Sequence, residues 1–215
     1  MIAVITGDII NSGEAPDNKW MDRLKGALNK LGNSPEEWEI YRGDSYQVKL
    51  APEKALEAAI YIKTVVKQTK NIDVRMAIGL GEEASGSERI TESSGNAYTY
   101  SGRCFDELKK RTLAVRSPDK EFDEEVNLYL SLALLVMDRW LPNTAKIVKV
   151  ALENPELNQK ELANLLNKST STISEGLKRA GFEEIMRMIK RYQKLVAKHF
   201  NHGLSLKVDT SALCR

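Results

Sequence analysis

Residues 37–50 narrow the folds open to this chain more than any other stretch. Trp38 and Ile40 alternate with Glu37, Glu39 and Tyr41. After Arg42-Gly43-Asp44, Tyr46, Val48 and Leu50 alternate with Ser45, Gln47 and Lys49. Period-two alternation on both sides of a glycine turn predicts a β-hairpin with one buried face. Helical patterns flank it. Residues 18–31 set Trp20, Leu24, Ala27, Leu28 and Leu31 at three- and four-residue spacing, and Gly32-Asn33 ends that helix. Pro52 opens a second helix to about residue 70, with an apolar face from Ala55 to Val66. Strands alternating only with helices would indicate a parallel Rossmann sheet; a hairpin inside the series argues against one.

The remaining strands complete the order. Residues 2–10 are apolar at nearly every position and rich in β-branched side chains, as in a central strand covered on both faces. Residues 72–80 form another strand, and residues 82–97 read as a long loop, with a short strand or turn as the alternative. A helix starts at Ser101 or Gly102 and runs through Leu108 and Lys109. A last strand covers residues 113–115, and a long helix residues 122–140, whose apolar face (Leu130, Leu134, Leu135, Met137) suits a dimer contact as well as a domain link. The order β, α, β-hairpin, α, β, loop, α, β predicts an α+β, ferredoxin-like layer. Its first strand is central, and the hairpin joins antiparallel.

Such a layer brings together two Gly-Asp steps, Gly7-Asp8 and Gly43-Asp44, each read as lying where a strand meets a turn. Asp8 and Asp44 make a two-carboxylate site for a hard cation, which takes one or two carboxylates and leaves the rest to phosphate. Asn11, Ser12 and Gly13 offer backbone N–H groups to an anion, and Arg42 with Gly43 can clamp a phosphate. The plainer alternative is turn-forming aspartates and a surface ion pair. Arg75 is read as facing solvent, His199 and His202 as surface residues, and Cys104 as a small helix residue.

Charge divides the chain. Residues 1–142 hold 19 Lys+Arg against 23 Asp+Glu, a net of −4; residues 143–215 hold 13 against 7, a net of +6. A basic C-terminal module is the footprint of a nucleic-acid partner, or simply a solvated helical face. Cys104 and Cys214 make no CxxC pair, and Met1 leads straight into a strand-like run. A cytoplasmic protein without a signal peptide is expected. The longest apolar run, residues 128–137, is half the length of a membrane span.

The basic module has its own pattern. Residues 145–152 form a helix ended by Asn154-Pro155; residues 158–167 form a short one. After a turn at Lys168-Ser169, Ser169 caps a third helix from Thr170 to Arg179. Gln159, Leu162-Ala163, Leu166, Ser169, Ser174 and Leu177 resemble the helix-turn-helix of bacterial transcription regulators in type and spacing. That resemblance implies double-stranded DNA as partner, with Thr170, Ser171, Thr172, Ser174, Lys178 and Arg179 facing the major groove. A fourth helix spans residues 182–200, with no β-wing expected, and the tail 203–215 carries weak alternation suited to an edge strand. The alternative is a tri-helical protein-binding module.

Gly7-Asp8-Ile9-Ile10-Asn11-Ser12, Arg42-Gly43-Asp44-Ser45, residues 74–79, Ser94-Gly95-Asn96-Ala97-Tyr98 and Ser101-Gly102-Arg103 resemble, in order and spacing, the catalytic domain of class III nucleotide cyclases. With the C-terminal module included, the whole chain resembles the bacterial SatD family. The cyclase resemblance covers about residues 1–116. It implies a palm-like fold, a nucleoside triphosphate, Mg²⁺ or Mn²⁺ held by Asp8 and Asp44, and a homodimer. The positions where a cyclase has its catalytic Asn and Arg fall on Asp106 and Lys110, and its base-selecting Lys falls near Trp38. These departures leave fold and metal-nucleotide binding better supported than cyclisation.

The expected organisation is therefore a cyclase-like domain (1–120), a linking helix (121–142), a helix-turn-helix domain (143–202) and a tail (203–215), with no membrane partner. Three functions fit: a DNA-binding regulator that senses a nucleotide, a metal-dependent nucleotidyl cyclase or related triphosphate enzyme, and an inactive dimerisation scaffold with an adaptor module.

Overall fold

The computed structural model describes residues 1–14 and 19–200; the tail 203–215, His202 and Cys214 lie outside them. The described chain is mixed α/β, with a mixed five-stranded sheet, a two-stranded ribbon and eight helices. In chain order they are β1 (Ile2–Ile10), α1 (Lys19–Leu28), β2 (Trp38–Tyr41), β3 (Ser45–Leu50), α2 (Ala55–Val66), β4 (Asp73–Gly81), β5 (Glu83–Ser85), β6 (Ser94–Gly95), α3 (Asn96–Asp106), β7 (Leu113–Arg116), α4 (Lys120–Met137), α5 (Pro142–Glu153), α6 (Gln159–Leu166), α7 (Thr170–Ala180) and α8 (Phe182–Phe200).

The large sheet has the order β2-β3-β1-β4-β7. β1 is central, antiparallel to β3 and to β4; β2 pairs antiparallel with β3, and β7 runs parallel to β4. Alternation sorts its side chains. Ala3, Ile5 and Ile9 of β1, Tyr46 and Val48 of β3, and Val74, Met76, Ile78 and Leu80 of β4 enter the main core. That core also takes Trp20, Leu24 and Leu28 of α1 and Leu56, Ala59 and Ile60 of α2. α3 covers the other face, where Ala77 and Ala114 meet Cys104 and Leu108. The outer edge of β7 is closed by Asn127 of α4, whose amide accepts from Val115 N at 2.9 Å and donates to Val115 O at 2.8 Å.

Helix boundaries differ from the sequence reading, most at the second helix and at α3. The second helix is shorter: a 3-10 turn at Pro52–Lys54 precedes α2, which ends at Val66. α3 begins at Asn96, five residues before Ser101, and ends at Asp106. Residues 96–100 are mostly weak helix formers, so propensity alone misses them. Tertiary contact supplies the rest. A Cβ on Gly79 would sit 2.2 Å from Ala97 O, so the first turns of α3 rest directly on β4. The stretch before α3 is not a plain loop: β5 and β6 form a ribbon that ends at Gly95, whose φ of +146° suits glycine.

The C-terminal helices are not held apart from the sheet. Ala145 and Val148 of α5 and Ile185, Ile189, Tyr192, Leu195 and Val196 of α8 belong to the same buried cluster as β1. Tyr192 donates to Pro52 O at 2.9 Å, and Trp140 Nε1 donates to Ala180 O at 3.2 Å. Among the described residues no helix is long and apolar enough to cross a membrane.

Candidate functional site

The sheet register assembles a cross-strand row. Tyr41 of β2 faces Ser45 of β3, Ser45 faces Asp8 of β1, and Asp8 faces Arg75 of β4. All four are partly exposed, on the sheet face that carries α3. Ser45 Oγ donates to Asp8 Oδ1 at 3.3 Å, and the Arg75 guanidinium donates to Asp8 Oδ2 at 2.8 Å. Burial raises the Tyr41 phenol's pKa, and the Asp8 charge adds to the rise against the opposing pull of Arg42. A second row lies one step inward, where Gln47 donates to Thr6 Oγ1 at 3.5 Å and Thr6 donates to Ser101 Oγ at 3.0 Å.

The Gly7-Asp8 step is inside β1, not at its turn. Gly7 faces Tyr46, and a Cβ there would lie 2.3 Å from the Tyr46 ring. Gly7 is thus a packing glycine: it admits a fully buried aromatic ring from the neighbouring strand. Burial holds the Tyr46 phenol well above its ordinary pKa, with the Asp8 charge adding to the shift.

Asp44 does sit in a turn. Arg42 (φ +52°) and Gly43 (φ +86°) are both left-handed in the three-residue connection between β2 and β3. Asp44 O accepts from Ile9 N at 3.3 Å, and its carboxylate Oδ2 accepts from Ser12 Oγ at 2.6 Å. Asp8, near the end of β1, and Asp44, in the turn before β3, therefore lie at the same end of the sheet, each accepting from its own serine, Ser45 and Ser12 respectively. Asn11 (φ +61°) turns the chain out of β1, and its amide donates to Asn71 O at 3.1 Å. Ser12 and Gly13 follow in a 3-10 turn, and Arg42 is exposed, two residues before the partly exposed Asp44.

α3 brings its C-terminal end to the same region: the Arg75 guanidinium lies over the Phe105 ring, 5.1 Å from its centroid. Asp106 closes α3, and Lys110 follows in the next turn; both are exposed. Burial pushes the Cys104 thiol up to about 11, which keeps it protonated and unreactive.

In the C-terminal half, α6 and α7 are joined by three residues, 167–169. Asn167 caps α6 in the left-handed region (φ +51°), and Ser169 caps α7 by accepting from Thr172 N at 3.2 Å. At the start of α6, Asn158 and Glu161 form a capping box. Ile173, Gly176, Leu177 and Ala180 face inward. Thr170, Ser171, Ser174, Lys178 and Arg179 are exposed, and Thr172 is half-buried.

A family model for the SatD family matches residues 1–196. The chain belongs to the SatD family. The match spans both the carboxylate row and α7. No curated protein matched the chain.

Sequence reasoning missed three features of this SatD chain. Arg75 is partly exposed, as a strand residue facing solvent would be, but it is also the cation paired with Asp8. Register decides that, and register is not visible in one strand alone. His199 is not a surface residue: its side chain is 9% exposed, packs on Phe122 and Phe200, and pairs with Asp119 at 2.7 Å. Finally, Lys63 is fully buried on α2 and bound to Asp73 and Asp138, each at 2.8 Å. Lys67 joins them, bridging Asp73 Oδ2 and Asp138 O, both at 2.8 Å. Lys63 lies in an otherwise apolar run, and a lysine there is the one signal that could have flagged it. Asp73 pairs with Ile10, so this network lies at the same end of the sheet as Asp8.

Proposed function

We propose that this protein is a cytoplasmic DNA-binding regulator whose sheet domain carries a nucleotide and metal site. In this reading the sheet with α1–α3 is a ferredoxin-like, cyclase-related palm. Helices α5–α8 are a helix-turn-helix domain, and the protein works as a homodimer. The observation that carries the proposal is α7: a capped helix after a three-residue turn, apolar inward, with Ser, Thr, Lys and Arg outward. The charge of the module supports it, at +6 for residues 143–215.

The donor set at the sheet fits a hard divalent cation. Asp8 in β1 and Asp44 in the turn before β3 supply two carboxylates at one end of the sheet, the number Mg²⁺ or Mn²⁺ takes when phosphate oxygens and water complete its shell. Bound there, the cation would hold a triphosphate, with Arg42, Gly43, Asn11, Ser12 and Gly13 around the same end of the sheet. The buried Lys63–Asp73–Asp138 cluster and the Trp140–Ala180 bond are contiguous between that end and α7. Contiguity supports a coupling route without measuring one.

The test is fluorescence anisotropy of an upstream DNA duplex, with and without each nucleoside triphosphate and Mg²⁺ or Mn²⁺. Binding should weaken steeply with salt, and a nucleotide should change the affinity by the factor that a coupling of about 1–3 kcal/mol sets. Lys178→Ala and Arg179→Ala should each lower the salt slope by about 1. Failure to bind any duplex would sink the DNA half, and equal affinity in all conditions would remove the sensing half.

The paired carboxylates also favour a second reading, a metal-dependent triphosphate enzyme in which Lys110 replaces the cyclase Arg and Asp106 stands beside it. Product from ATP or GTP with Mn²⁺, lost in Asp44→Asn, would establish it. A silent assay across all four triphosphates would count against it.

A further inference from the structure

α4 has two apolar sides. Phe122, Val126, Leu130, Leu134 and Met137 are buried against the sheet and neighbouring helices. Leu128, Leu132 and Leu135, at spacings of four and three, form an outward ridge; they are 58%, 59% and 62% exposed. Beside this ridge runs a groove of about 830 Å³ between α4 and α8, with Leu132, Ala133, Val136, Ile185 and Met188 among its walls. Val136 continues into a second hollow with Leu135, Leu141 and Arg179. Five of the seven exposed large hydrophobics among the described residues, Leu128, Leu132, Leu135, Val136 and Leu141, thus belong to one patch. Single exposed leucines are ordinary; a contiguous ridge and groove is not.

The geometry points to this face as the contact between two copies of the chain. Ridge and groove lie side by side on one helix. A two-fold axis across α4 seats the ridge of each copy in the groove of the other, the self-complementarity that an isologous interface requires. Along the α4–α8 groove the rim carries both signs: Glu184 and Arg187 are exposed there, and Arg191 is paired with Glu125. This part of the rim offers opposite charges to its own image, while Arg139 and Arg179 add positive charge at the hollow beyond it. Size also suffices. An 18-residue helix is about 27 Å long, and with α8 beside it the strip is about 20 Å wide. Two copies then cover about 1,000 Å², the lower bound for a specific interface. Arg179 at the patch edge places the C-terminal end of α7 next to the axis. Two α7 helices would then be presented symmetrically, as a palindromic duplex requires; that use alone rests on the DNA reading.

The experiment is sedimentation velocity on the full chain carrying Cys214→Ser, without DNA, so that its outcome is separate from that of the DNA reading. The expected mass is twice the 24.2 kDa of one chain. Leu132→Glu should return it to 24.2 kDa as a cooperatively folded monomer, because Leu132 is exposed in the single chain, with a thermal midpoint lowered only by the mass-action stabilisation that dimerisation supplies. Leu128→Glu serves if Leu132→Glu lowers the folded yield. Leu165→Glu, on α6 and 58% exposed, should leave the dimer intact. A wild-type monomer at high micromolar concentration overturns the proposal and hands the face to residues 201–215 or to another protein. A dimer that survives both ridge substitutions overturns it in favour of a different surface.

Discussion

The Arg75 guanidinium donates to Asp8 Oδ2 at 2.8 Å while lying over the Phe105 ring. The positive charge therefore sits on the carboxylate that a divalent cation would need. A metal at Asp8 must displace Arg75, and the Phe105 ring gives the displaced guanidinium a place to stay. Arg75→Met removes the competitor. The pair is partly exposed and worth about 1 kcal/mol, so Mn²⁺ should bind about fivefold tighter in the variant. Calorimetric titration of wild type and variant checks this. Equal affinity would mean that the cation does not engage Asp8.

Tyr46 lies over Gly7 in the neighbouring strand, with no room for a Cβ. Gly7→Ala should cost about 1–3 kcal/mol through overpacking, a drop of roughly 3–10 °C in Tm for a chain of this size. Combining Gly7→Ala with Tyr46→Ala should cost less than the sum of the two single changes, because the clash disappears with the ring. Thermal unfolding of the three variants measures the difference.

The Lys63 side chain is fully buried, with Asp73 as its strand partner. Asp73→Asn leaves two lysines short of one carboxylate and should destabilise by about 3 kcal/mol. Lys63→Met removes the buried cation and leaves Asp73 paired with Lys67, so it should cost less. Urea unfolding ranks the two. The reverse order would mean that the lysine's other partners carry the stability.

Glu153 ties α5 to the sheet domain. It accepts from Tyr61 at 2.7 Å and pairs with Lys30 and Lys149. Burial disfavours its charge, but the hydrogen bonds from Lys149, Lys30 and Tyr61 outweigh this and lower its pKa to about 2 from an ordinary 4.5. A depressed carboxylate pKa stabilises the fold above the unfolded value, and the gain is lost as pH falls through the folded one. Stability should therefore drop as pH falls from about 4.5 to about 2, and Glu153→Gln should flatten that part of the profile. Denaturant midpoints across this range give the answer.

Several parts of the fold follow from residue pattern alone. The hairpin follows from alternation around Arg42-Gly43-Asp44, and the run of β1 from its β-branched composition. The cap of α7 follows from Ser169. Each depends on neighbours within a few positions along the chain, which one sequence displays. The start of α3 at Asn96 does not, because its first turn is held by β4, fifteen or more residues away in sequence.

Residue pattern alone marked the five strands of the large sheet and the eight helices, though not the β5–β6 ribbon, along with the two Gly-Asp steps and the basic helical module. Tertiary structure decided what those residues touch. Register across β3, β1 and β4 set Ser45 and Arg75 on either side of Asp8, put Gly7 under Tyr46, and joined Lys63 to Asp73 and Asp138. A strand repeats every two residues, so one strand read alone is compatible with many registers. Only packing between strands and helices selects one of them.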